Sequence, residues 1–99
     1  MSDDWLIYGA YGYTGKLIAG KAREIGMQPV LSGRSPGPLT RLAGATGLKH
    51  VILDLDEPER LRRHLKNVSV VLNCAGPFSR TARPMIDACI DTGTHYLDI

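Results

Sequence analysis

No apolar run in the chain approaches the ~20 residues that a membrane-spanning helix needs, and there is no low-complexity tract, internal repeat or block of like charge. Twelve Lys and Arg against ten Asp and Glu leave a formal charge of only +2. The basic residues are dispersed among carboxylates, so no nucleic-acid or membrane partner is expected. Cys74 and Cys89 are too few for a disulfide framework and too far apart for a Cys-x-x-Cys redox or metal motif. They read as reduced, largely buried thiols. His50, His64 and His95 are scattered without ligand spacing, so no metal is expected. The first residues, Met1-Ser2-Asp3-Asp4, carry no basic segment leading into an apolar one, which points to the cytoplasm.

What is present is a chain of 99 residues, 43% hydrophobic and 22% charged. That is enough for one compact domain and short for an enzyme that must hold both a dinucleotide and a second substrate. Short apolar runs alternate with stretches of helical period, the pattern of parallel strands joined by helical crossovers. Trp5-Leu6-Ile7-Tyr8 reads as the first strand. A helix follows from about Thr14, with Leu17, Ile18, Ala22 and Ile25 on one face and Gly26 as its stop. The second strand is read at residues 29–32, a brief helix at 39–45 ended by Gly47, and the third strand at 50–53. Asp56 with Glu59 suggests a capping box opening a helix that buries Leu61 and Leu65. The fourth strand is read at 68–74, without alternation, as for a strand covered on both faces. A helix at 84–92, with Met85, Ile86, Cys89 and Ile90 inward, stops at Gly93 before a fifth strand. These elements predict an α/β fold: a three-layer Rossmann-type sandwich, its parallel sheet of about five strands ordered 3-2-1-4-5.

The strongest functional signal is Gly9-x-x-Gly12-x-x-Gly15, lying between a predicted strand and a predicted helix. Glycines there permit a tight turn and let backbone approach a pyrophosphate, while the free N–H groups of the helix start face the anion. Tyr11, Tyr13 and Thr14 flank the loop with hydroxyl groups. At the end of strand two stand Ser32, Gly33, Arg34 and Ser35, with no Asp or Glu between Glu24 and Asp54. An NAD site usually places a carboxylate there, whereas a 2′-phosphate needs a cation. Arg34, with Ser32 or Ser35 as hydroxyl donor, therefore favours NADP(H) over NAD(H). Asp54 can reach the adenine edge or cap a turn. Asn73, Ala75, Gly76 and Pro77 leave strand four at the carboxyl edge, where open α/β sheets bind ligands. No catalytic set emerges: Tyr13 and Lys16 are three apart on the first helix and do not form the Tyr-x-x-x-Lys pair of short-chain reductases.

Together Gly9-Ala10-Tyr11-Gly12-Tyr13-Thr14-Gly15, Gly33-Arg34-Ser35, Asn73-Cys74-Ala75-Gly76-Pro77-Phe78 and Gly93-Thr94-His95-Tyr96-Leu97-Asp98 resemble the N-terminal domain of saccharopine dehydrogenase-like oxidoreductases, in the branch that includes trans-acting enoyl reductases. The resemblance covers nearly the whole chain. It implies an NAD(P)-dependent reductase acting on a C=N or C=C substrate, with residues 1–99 as the cofactor domain of a longer enzyme and a small-molecule substrate bound by the remainder. Ala82 stands where that family often has glycine, which puts a close backbone approach to cofactor at that turn in doubt. The alternative is a non-catalytic NADP(H)-sensing or interaction module. Sheet surface left uncovered by a following domain would favour a homodimer.

Overall fold

A computed structural model describes residues 4–99. Five strands and four helices alternate strictly: β1 (Trp5–Tyr8), α1 (Tyr13–Glu24), β2 (Val30–Gly33), α2 (Pro36–Thr46), β3 (His50–Ile52), α3 (Pro58–Leu65), β4 (Val70–Asn73), α4 (Phe78–Thr92) and β5 (His95–Asp98). The strands form one parallel sheet in the order β3-β2-β1-β4-β5, as the sequence predicts. The order reverses between β1 and β4, the switch point at which such sheets open a crevice.

Each strand feeds both faces. Leu6 and Tyr8 of β1 join Leu61, Leu65, Val71, Met85 and Cys89 beneath α3 and α4. Ile7, one residue out of phase, joins Ala19, Leu31, Leu39 and Ala43 beneath α1 and α2. Period-2 alternation in a buried strand thus builds two cores, one per helical layer. Among the described residues, no helix is long and apolar enough to cross a membrane.

Three local expectations are corrected. Helix α1 buries Gly15, Ala19 and Ala22, while Leu17 and Ile25 are exposed. Its first turn lies so close to β1 that only small residues fit the inner face. Helix α3 has no side-chain cap: its N-cap is Glu57, the Asp56 N–H bonds to Asp54 Oδ1 at 2.9 Å, and Glu59 pairs with Arg62 at 3.5 Å. The turn made by Asp54 takes the place of the expected box. Helix α4 starts at Phe78 rather than at Pro84, which lies inside it, and Ile90 faces solvent. A proline there removes one ladder bond to the Arg80 carbonyl. The first turn is held instead by Thr81, whose hydroxyl donates to the Ala75 carbonyl at 2.6 Å.

Candidate functional site

The chain leaves β1 through Gly9, at φ +78°, and the N–H groups of Gly9 and Ala10 donate to the Ser32 carbonyl at 2.9 and 3.1 Å. Gly12 N–H returns to the Gly9 carbonyl at 3.1 Å, closing the loop before α1 begins. The three glycines have different jobs. A Cβ at Gly9 would lie 2.7 Å from Ala75 Cα, and one at Gly15 would meet the Gly9 carbonyl oxygen and lie 2.7 Å from that of Ala10. Both are closed by protein backbone. At Gly12 the nearest heavy atom would be 3.5 Å away, an ordinary contact, so its outer side is open. Gly12 is also the N-cap of α1, with no side-chain cap and no acidic residue in the first turn. The N–H groups of that turn, which have no intrahelical acceptor, are available to an anion such as pyrophosphate.

Tyr11 connects this loop to the next. Its ring covers Gly33, where a Cβ would strike the ring edge, and its hydroxyl accepts the Ser35 N–H at 3.1 Å. The backbone on either side of Arg34 is thereby pinned. Arg34 itself is exposed and lines a cleft of about 350 Å³ together with Gly9, Tyr11, Asp54, Ala75, Gly76 and Pro77. Seven of the positions singled out from sequence therefore share one concave surface. Gly12, Tyr13, Thr14 and Gly15 stand at the adjoining start of α1 and do not line it.

Ser32 and Asn73 lie behind the cleft. Ser32 is fully buried beside Tyr8 in the sheet register, and its Oγ has no hydrogen-bond partner among the described residues. It is not placed to meet a 2′-phosphate in the cleft, and the Ser35 side chain makes no cap bond to α2. A buried hydroxyl without a partner is destabilising. We expect Ser32→Ala to raise stability by about 1 kcal/mol in urea denaturation and to leave cofactor affinity unchanged. A loss of affinity would mean that the hydroxyl reaches the ligand after all.

Asn73, also fully buried, uses its amide completely. Its Nδ2 donates to Thr81 Oγ1 at 3.2 Å and to the Tyr96 hydroxyl at 3.1 Å, and its Oδ1 accepts the Ala75 N–H at 3.0 Å. Tyr96 in turn donates to Asp98 Oδ2 at 3.0 Å. Burial pushes the Tyr96 hydroxyl up, which keeps that proton in place. The amide ties β4, β5 and the first turn of α4 together and holds the Ala75–Gly76–Pro77 wall, in which the Gly76–Pro77 peptide is cis.

The cleft also includes Gly33, from the motif at the end of β2, and residues that sequence reasoning did not assign to a site: Tyr8, Leu55, Asp56, Arg80 and Thr81. Tyr8 donates its hydroxyl to the Leu53 carbonyl at 3.1 Å. Burial, with the Asp54 charge adding to it, pushes the Tyr8 hydroxyl up to about 12, too high for a proton donor cycling at neutral pH. Both cysteines are free. Burial raises the Cys74 thiol and pushes that of Cys89 up to about 11, so neither has the character of a nucleophile.

Residues 5–99 match the family model of the saccharopine dehydrogenase NADP binding domain. A probable mitochondrial saccharopine dehydrogenase-like oxidoreductase of Arabidopsis thaliana is 34% identical, over 97% of this chain and 25% of its own. The trans-acting enoyl reductase of Mycobacterium leprae is 32% identical, again over 97% of this chain and 25% of its own. Among solved structures, apo saccharopine dehydrogenase from Saccharomyces cerevisiae superposes with a TM-score of 0.76 at 19% identity, covering 96% of this chain and 21% of that one. The leucoanthocyanidin reductase–NADPH complex from Vitis vinifera gives 0.78 at 20% identity, covering 94% and 34%. These structural likenesses establish the fold. The chain spans about a quarter of the length of the curated relatives it matches.

Proposed function

The chain belongs to the saccharopine dehydrogenase NADP-binding domain family, and from that premise we propose that it forms the cofactor-holding part of a longer oxidoreductase that moves hydride between NADP(H) and a C=N or C=C bond. The observation that carries this reading is the continuity of the glycine loop with a cleft that Arg34 lines. When bound, the dinucleotide supplies or accepts the hydride at its nicotinamide ring. The residues of this chain bind, orient and select it.

Gly12 and the N–H groups of Tyr13 and Thr14 hold the pyrophosphate, with Gly9 and Gly15 allowing the loop to close beneath it. Arg34 meets the 2′-phosphate, with Ser35 beside it. Asp54 Oδ1 is engaged by Asp56 N–H; Oδ2 is the atom offered to the adenine amino group. Ala75, Gly76 and Pro77 form the opposite wall, positioned by Asn73. The substrate sits on the remainder of the enzyme. Among the described residues β5 pairs with β4 alone and leaves Leu97 exposed; this edge is the surface we propose for self-association of the chain.

Titration of the chain with NADPH and NADH tests the cofactor assignment of Arg34. A charge-assisted contact to phosphate is worth about a factor of ten. Arg34→Ala is expected to lower NADPH affinity by that factor and to leave NADH within twofold. If the NADPH preference survives the substitution, Arg34 does not hold the 2′-phosphate. NADPH oxidation by the full-length oxidoreductase, with imine and enoyl substrates supplied separately, tests the hydride-transfer reading.

A further inference from the structure

Helix α4 begins six residues before Pro84, and this earlier start changes where one cation lies. Residues 78–83 are a helical turn and a half rather than a loop, and Arg80 and Thr81 come to line the cleft across from Arg34. We propose that Arg80 is a second determinant of NADP(H) specificity, which closes on the 2′-phosphate from the α4 side while Arg34 meets it from the β2 side. The inference rests on the cofactor reading above and extends it to a residue that neither the glycine loop nor the end of β2 identifies.

Three observations carry it. First, Arg34 and Arg80 line one cleft from opposite walls, the loop after β2 and the first turn of α4. Second, among the described residues neither side chain makes an ion pair or a hydrogen bond. Nearby arginines on the same layer are engaged: Arg83 pairs with Asp87 at 3.3 Å, and Arg62 with Glu59 and Asp91 at 3.5 and 3.8 Å. The two carboxylates that share the cleft, Asp54 and Asp56, lie on the β3 side, and neither forms an ion pair with either arginine. Two unpaired guanidinium groups facing one cavity repel each other, and a dianionic phosphate between them neutralises both.

Third, the backbone under Arg80 is held before any ligand arrives. Its N–H donates to the Pro77 carbonyl at 3.0 Å, and the next residue, Thr81, is tied by its hydroxyl to the Ala75 carbonyl at 2.6 Å and to Asn73 Nδ2 at 3.2 Å. Only the side chain has to be ordered on binding, which keeps the entropic cost of the contact small. The same bonds make Arg80→Ala a mild substitution for the fold, since the exposed side chain takes no part in them.

The experiment measures dissociation constants of the chain for NADPH, NADH, adenosine 2′,5′-bisphosphate and 5′-AMP, in wild type, Arg80→Ala, Arg80→Lys and Arg34→Ala. Arg80→Ala is expected to lower the NADPH-to-NADH affinity ratio about tenfold, to lower the bisphosphate-to-AMP ratio by a similar factor, and to leave NADH and AMP within twofold. Arg80→Lys is expected to recover part of both ratios, because it restores charge without the bidentate fork. Equal losses on all four ligands, or unchanged ratios, would overturn the proposal while leaving the cofactor reading intact. A wild-type chain with no preference for NADPH would overturn both.

Discussion

Alanine at Gly15 is expected to cost the chain about 3 kcal/mol of stability, the upper end of what overpacking produces. The added Cβ would meet the Gly9 carbonyl oxygen and lie 2.7 and 2.8 Å from the carbonyl oxygen and carbon of Ala10. All of these are backbone atoms of a loop fixed from the other side by the Ser32 carbonyl, which accepts from both Gly9 and Ala10. No rotamer change relieves the overlap, so α1 must lift away from the sheet and uncover Ala19 and Ala22. For a domain of this size, 3 kcal/mol corresponds to a fall in melting temperature of roughly 15 °C, which thermal denaturation followed by circular dichroism would register. Gly12→Ala is the control. Its Cβ finds only a 3.5 Å contact, so stability should change by less than about 1 kcal/mol while NADPH affinity falls at least about tenfold, because the methyl group occupies the side from which the pyrophosphate approaches. Equal thermal effects from the two substitutions would show that the glycines do not divide the work in this way.

That division could not be read from the spacing of the glycines, which is symmetrical. Sequence located the loop because a strand pattern stops at Tyr8 and a helical pattern starts near Thr14, and it located Arg34 because a cation stands where a carboxylate would otherwise select NAD. The sheet order was also legible, since five short apolar runs separated by helices leave few right-handed parallel arrangements. What was not legible depended on tertiary distance. The stripe on α1 was read from Leu17 and Ile25, the most apolar residues available, but the close approach at Gly15 selects the small face of Ala19 and Ala22 instead. The start of α4 was set at Pro84 by local propensity, whereas side-chain bonds from Thr81 and Asn73 carry the helix back to Phe78. Arg80 was lost with that turn. Asn73 was placed in the correct region, yet its partners Thr81 and Tyr96 lie 8 and 23 residues away, and nothing in its own neighbourhood reveals that its amide is already engaged.

Asn73→Ala is the second substitution with a large expected effect. It removes two donors and one acceptor from a fully buried position. At about 1 kcal/mol for each lost bond, the loss of stability is about 3 kcal/mol, readable as a shift of the urea midpoint. The damage is unequal among the partners. Thr81 still donates to the Ala75 carbonyl and Tyr96 to Asp98, but the Ala75 N–H loses the Asn73 oxygen that accepts it. Ala75 packs against Gly9, so the cleft wall should loosen and NADPH affinity should fall even under conditions where the chain is fully folded. Asn73→Asp separates the hydrogen bonds from the shape. The carboxylate can still accept the Ala75 N–H, but ionised it is a buried charge, whose folded pKa must rise above the unfolded value of about 3.9. Its stability relative to wild type is therefore greatest below that unfolded value and is lost as pH rises through the raised folded pKa. A midpoint difference between Asn73→Asp and wild type that stays constant from acid to neutral pH would mean that position 73 is wet, and that the wall is held by something other than this amide.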